Sequence, residues 1–328
     1  MVKRLAPEDR ATAAPRKSRH ALMHLAMLAT VAFWSGNIIA GKEGLKAFGP
    51  MALAELRVTG AAALFGLIFV AWPGRPKIRL QGRDWLHFAL MAFTGITLNQ
   101  IFFIGGLARA PVADNGLIVA LGPVMVLVMA AAIGLEAITA LKVAGIFMAL
   151  AGVFVLTFNF KARSLAPSWK GDLFQLIGTA AFALYTILVK RVADRYDPIT
   201  LNTLCFAMGA VFLIPFAAHG ILGIDWPGIA PEAMGGLLFM ILLGSLAAYI
   251  LFAYALTGLS ASRVAAFNYL QPLIAIALGI WMLGEKLKPS EVVGGGLILL
   301  GLYLAESEQG SEDATPKTPD RAALSSQK

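Results

Sequence analysis

Within stretches that are otherwise apolar, the side chains able to do chemistry are aromatic rings, phenols, amides and hydroxyls rather than charged groups. Trp34 and Asn37 stand three positions apart, so on a helix they share a face and can meet the ring and the polar group of one solute. Tyr185 and Thr186 form a second aromatic and polar pair, Asn99 is followed directly by Gln100, and Asn268, Tyr269 and Gln271 lead into Pro272. Tyr249 is the remaining candidate of this kind, with Tyr254 five positions on. Amides and phenols satisfy an amine or a carboxylate without burying a full charge. A polar group left in hydrocarbon is expensive. Each of these residues therefore either bonds between helices or lines a path for a solute, and residue type alone leaves both uses open.

Catalysis has less support. No nucleophile and base stand at a recognisable spacing, which makes an intramembrane enzyme the weaker reading. No CxxC or dense carboxylate set suggests a metal, and Gly294, Gly295 and Gly296 lie in an apolar run without the strand, Lys and Ser/Thr of a phosphate loop. No metal or cofactor is expected, and helix packing is the natural role of those glycines. His24, His87 and His219 fall near helix ends, and Glu136 and Glu285 at helix ends beside short turns suit capping and interfacial anchoring. Glu55 and Arg57 are two apart and do not share a helix face. Arg57 is left to snorkel along its stem or find a structural partner, the default, or to meet a carboxylate on a solute.

The elements that must position these residues are membrane helices. Hydrophobic residues make up 58% of 328 and charged residues 14%, with mean hydropathy +0.74, whereas a soluble chain is about one quarter charged. Apolar runs predict ten spans near 22–41, 51–72, 85–108, 112–134, 142–160, 172–191, 199–219, 233–257, 263–283 and 290–305. Residues 1–21 read as a basic cytoplasmic tail, 161–171 as a connecting loop and 306–328 as a disordered cytoplasmic tail. Many apolar runs follow the first, which reads as a retained helix and not a cleaved signal. The net charge of +8 comes from Lys and Arg scattered through short connections, so it reports topology and lipid contact rather than nucleic acid. The excess of Lys and Arg in alternate connections places both termini in the cytoplasm. Cys205, the single cysteine, can form no intrachain disulfide and reads as a packing residue.

An internal repeat orders the spans. An offset of 149 pairs Gly95 with Gly244, Pro123 with Pro272, Glu136 with Glu285, Gly145 with Gly294 and Gly152 with Gly301, all without a gap. Apolar matches are cheap in such a chain, but prolines, glycines and carboxylates in one register are not. Five spans per half make the second half enter from the opposite side, an inverted-topology repeat of residues 22–160 and 172–305. Pro123 and Pro272 each fall inside a predicted helix, where a missing amide bends the backbone, and are read as hinges beside the pathway.

These residues resemble the drug/metabolite transporter superfamily, in the branch made of two EamA-type domains. The likeness rests on Phe33 to Asn37, on Ala108 to Pro123 with its counterpart Leu259 to Pro272, and on Leu283 to Leu287 followed by Val293 to Leu297. Within the branch the chain is similar to YddG-type exporters of aromatic amino acids. The resemblance implies an all-α integral protein of the bacterial inner membrane, with ten helices in two inverted five-helix repeats. It also implies a secondary transporter that exports, or eases the passage of, small amphipathic metabolites by alternating access. Aromatic and other neutral amino acids are the expected cargo, with nucleobases, cationic drugs or other metabolites as the alternative.

Overall fold

The computed structural model describes residues 16–73, 82–110, 112–158, 169–274, 277 and 289–307. Residues 1–15, the connection 159–168, residues 278–288 with Glu285, and residues 308–328 lie outside the described residues, while α1 below starts at Arg16 within the stretch expected as a tail. All regular structure among the described residues is helical: α1 (Arg16–Gly44), α2 (Pro50–Ala71), α3 (Gly82–Arg109), α4 (Val112–Val119), α5 (Gly122–Ala132), α6 (Ala140–Phe158), α7 (Trp169–Val192), α8 (Pro198–Leu222), α9 (Pro231–Leu256), α10 (Ala261–Ala266) and α11 (Pro289–Ser307), with short 3₁₀ turns between some of them. Seven stretches are long and apolar enough to cross a membrane: those of α1, α2, α3, α7, α8 and α9, and Asn115–Ala132 across α4 and α5. Ala140–Leu156 and Pro289–Ala305 are apolar but shorter. The chain is a multi-pass membrane protein, as so many apolar helices require. The expected span at 263–283 is described only in its first part.

Two helices expected to be regular are not. α3 widens into π geometry over Ala92–Leu98, and α9 does the same over Leu242–Ala247. Gly95 and Gly244, equivalent in the repeat, sit inside these two segments. A Cβ on Gly95 would strike the Tyr185 ring, and one on Gly244 would strike the Asn37 amide. Bare glycine faces let α3 press on α7 and α9 on α1.

The expected span 112–134 is also broken. The chain turns at Ala120 and Leu121, and α5 restarts with Pro123 in its first turn. There the missing N–H costs nothing, because a first-turn amide has no helical acceptor anyway. Pro123 therefore follows the break rather than kinking a continuous helix. Pro272 is preceded by a 3₁₀ turn over Phe267–Leu270.

The two halves pack by exchange. α2 lies on α8, and α6 on α11. Along the second seam a Cβ on Gly145 would lie 2.6 Å from the Gly301 carbonyl oxygen, and one on Gly152 would lie 2.6 Å from that of Gly294. The sequence register equates Gly145 with Gly294, yet each packs on the other's distant partner. Such crossing is what a two-fold relation between halves produces. Repeat equivalents also run in opposite senses: α1 finishes where Lys42 donates to the Leu107 carbonyl at 2.5 Å, whereas α7 starts there, with Gly171 against Ala110.

Polar ties hold the far end of the bundle. Tyr196 donates to Asp84 at 2.7 Å and Arg195 pairs with the same carboxylate at 3.3 Å. Burial, then that carboxylate, pushes the Tyr196 phenol above its usual value. Glu136 accepts from the Ser262 amide at 3.0 Å and from the Ser262 hydroxyl, with Lys142 Nζ at 3.6 Å. His87 Nε2 donates to the Leu188 carbonyl at 2.9 Å, and Cys205 is buried and free.

A candidate solute cavity between the two halves

α1, α2, α3, α4, α5, α7, α9 and the segment leading to Pro272 surround a cavity whose empty space, counted together with the solvent open to it, is about 750 Å³. Of the residues singled out by type, Trp34, Asn37, Asn99, Gln100, Thr186, Tyr249, Asn268 and Gln271 line it. Tyr185 and Tyr269 do not. Both are fully buried with hydroxyls that meet no partner among the described residues, and Tyr185 stands behind the wall with its ring over Gly95. Pro123 is next to the lining residue Gly122, and Pro272 follows the lining residue Gln271.

One wall is aromatic. The Trp34 ring lies 5.4 Å from Phe182, 5.4 Å from Phe252 and 6.0 Å from Tyr249, centroid to centroid. Edge-on and tilted contacts at these spacings suit the ring quadrupoles and stiffen the wall. Trp34 is further fixed by its indole N–H, which donates to the Gly244 carbonyl at 3.2 Å. The other wall carries amides. Gln271 donates to Asn268 at 3.3 Å across one helical turn, while Asn99 donates to the Gly178 carbonyl at 3.1 Å.

Arg57 lies at the junction of these walls, where sequence favoured the membrane surface or a structural partner. Only 2% of it is exposed, and it does not snorkel. Its Nε donates to Ser245 Oγ at 2.8 Å, Nη1 to Gln100 Oε1 at 2.9 Å and Nη2 to the Gly244 carbonyl at 3.1 Å. Gln100 passes the chain on to Asn99 Oδ1 at 3.3 Å. One guanidinium thus organises α2, α3 and α9, joining the first half to the second. Glu55, as expected, faces elsewhere and accepts from Thr59 at 2.6 Å.

Sequence reading missed Gln175, Thr179, Phe182 and Phe252, which also line the cavity. Phe182 and Phe252 are ordinary apolar residues in apolar runs, so nothing local marks them. Gln175 did carry a signal, a lone amide three positions into the expected span at 172–191.

An EamA-like transporter family model matches residues 21–158 and again residues 169–306. An Archaeoglobus fulgidus protein named "Uncharacterized transporter" is 31% identical over 292 residues, covering 87% of this chain and 98% of that one. A Streptantibioticus cattleyicolor protein named "Probable terminal-alkyne amino-acid exporter" is 28% identical over 299 residues, covering 90% of this chain and 97% of the other. A solved crystal structure superposes with a TM-score of 0.71 over 92% of this chain and all of that one, at 19% identity, which speaks to fold alone.

Proposed function

The chain belongs to the EamA-like transporter family, and from that premise we propose that it is a secondary transporter of small amphipathic solutes, with aromatic and other neutral amino acids as cargo. The observation that carries this reading is the cavity, which brings the aromatic residues Trp34, Phe182 and Phe252 together with the amides of Asn99, Gln100 and Asn268 where the two halves meet. A ring and a polar head in one molecule complement those two kinds of group. The amino-acid export named for the Streptantibioticus cattleyicolor relative points the same way.

In this reading ten spans form two inverted repeats in a bacterial inner membrane, with both termini cytoplasmic, and the halves rock around the cavity to expose it to each side in turn. Pro123 and Pro272 mark where helices are interrupted beside it and serve as the bends. The lining groups bind and orient the solute, and lipid covers the exposed apolar faces.

Purified protein in sealed vesicles is expected to move labelled phenylalanine, tyrosine, tryptophan or threonine faster than protein-free vesicles, with unlabelled cargo competing. No protein-dependent flux across a panel of amino acids, nucleobases and cationic drugs, from vesicles that contain folded protein, would overturn it.

A further inference from the structure

Arg57 is a buried cation whose hydrogen bonds all go to neutral acceptors: a hydroxyl, an amide and a backbone carbonyl. Among the described residues no carboxylate lies within ion-pair distance of it. Neutral dipoles orient a guanidinium without cancelling its charge, and a charge withdrawn from water stays costly until it is paired. The group also keeps two of its five N–H donors beyond the three bonds described, and it borders the cavity.

We propose, on the reading of the chain as a solute transporter, that the missing counter-charge is supplied by the cargo, so that the site selects solutes carrying a carboxylate and Arg57 is their anchor. A planar carboxylate fits the fork of a guanidinium as no other common metabolite group of that size does, phosphate apart. Ser245, Gln100 and Gly244 hold the fork in place before cargo arrives, which lowers the entropy lost on binding. The carbonyl of Gly244 is available for this because of the π segment. The Ala248 N–H, which a regular α-helix would direct to it, goes to the Leu243 and Ser245 carbonyls instead.

The rest of the lining sets two buried amides near that anchor. Asn37 and Gln175 line the cavity, are buried, and carry amide oxygens that meet no donor among the described residues. Asn37 packs on Gly244, the residue that also receives Arg57, so the amide and the anchor are neighbours, as the two head groups of an α-amino acid are. A cation lacking a carboxylate would instead place a second positive charge next to Arg57 in a medium that screens poorly. Organic cations are therefore excluded from this site.

The test uses the full chain in vesicles, with labelled phenylalanine flux challenged by 3-phenylpropionate, which lacks the ammonium, and by phenethylamine, which lacks the carboxylate. Competition by 3-phenylpropionate and none by phenethylamine is expected. Gln100→Glu places a carboxylate against Arg57 with almost no change in shape. It should keep or raise the melting temperature while lowering phenylalanine flux by about tenfold or more, because the anchor is then already paired. Phenethylamine competing as well as 3-phenylpropionate, or Gln100→Glu transporting like the parent, would overturn the inference and leave the transporter reading standing. Flux confined to nucleobases or cationic drugs would do the same. No flux of any solute would remove both.

Discussion

The guanidinium of Arg57 donates to the carbonyl oxygen of Gly244 at 3.1 Å across 187 residues of sequence. This bond joins the two halves at the cavity wall, and it exists because α9 is wound as a π-helix over Leu242–Ala247. The wider winding redirects one backbone amide, and the freed carbonyl receives both Arg57 and Trp34. A local defect in one helix thus creates the acceptor that orders two side chains from other helices.

Gly244→Ala and Gly95→Ala are expected to destabilise the protein by about 1–3 kcal/mol each, since the added methyl meets Asn37 or Tyr185 in a packed seam. Gly66→Ala on α2, where nothing lies within 4 Å, is the control. It should be neutral or stabilising by about 0.4–1 kcal/mol through the unfolded chain. Melting temperatures in one detergent would decide the matter, and equal values for the three variants would contradict the close approach.

Glu136 fastens the start of α10 by accepting from both the amide and the hydroxyl of Ser262, with Lys142 as its charge partner. Glu136→Ala leaves Lys142 and the Ser262 amide buried without their partner, a change that costs about 3–5 kcal/mol when a buried pair is broken. Glu136→Gln keeps one acceptor and should cost less. A cysteine placed at the buried Ala261, on a Cys205→Ser background, should react with maleimide faster in Glu136→Ala than in the parent. Identical labelling rates would show that this tie does not hold the end closed.

Pro123→Ala and Pro272→Ala restore an amide next to the cavity. At Pro123 the ring no longer excludes the Val119 carbonyl from a continuous turn, so α4 and α5 can approach one helix across the break at Ala120 and Leu121. Spin-label distances across the two faces of the reconstituted protein should shift in population for both variants. Unchanged distances together with unchanged flux would remove the hinge assignment.

Orientation is read by labelling single cysteines from outside intact cells, again without Cys205. Ala47 and Asp225 belong to one end of the bundle, where Phe48 meets Trp226 at 6.4 Å, and Asp194 belongs to the other, beside the Arg195 to Asp84 pair. Cysteines at Ala47 and Asp225 should label, and one at Asp194 should not. The opposite pattern would invert the topology, and labelling at all three would contradict a sealed membrane between the two ends.

Sequence by itself determined the membrane class, the two repeats and most of the polar candidates, because each rests on a quantity carried along one chain. Hydropathy averages over a single helix, and the 149-residue register compares residue types one for one. Trp34 and Asn37 were legible for the same reason, since a helix puts positions three apart on one face. What lay across helices was decided only by tertiary structure. Tyr185 and Tyr269 looked like Tyr249 in kind and context, yet packing turned them into the core while Tyr249 kept a place on the cavity. Which groups hold Arg57 could not be read from sequence, because Gln100, Gly244 and Ser245 are 43, 187 and 188 positions away. Neither π segment has a local signature strong enough to outweigh an apolar run. Each is set by what the neighbouring helix presses against it, the Tyr185 ring on Gly95 and the Asn37 amide on Gly244.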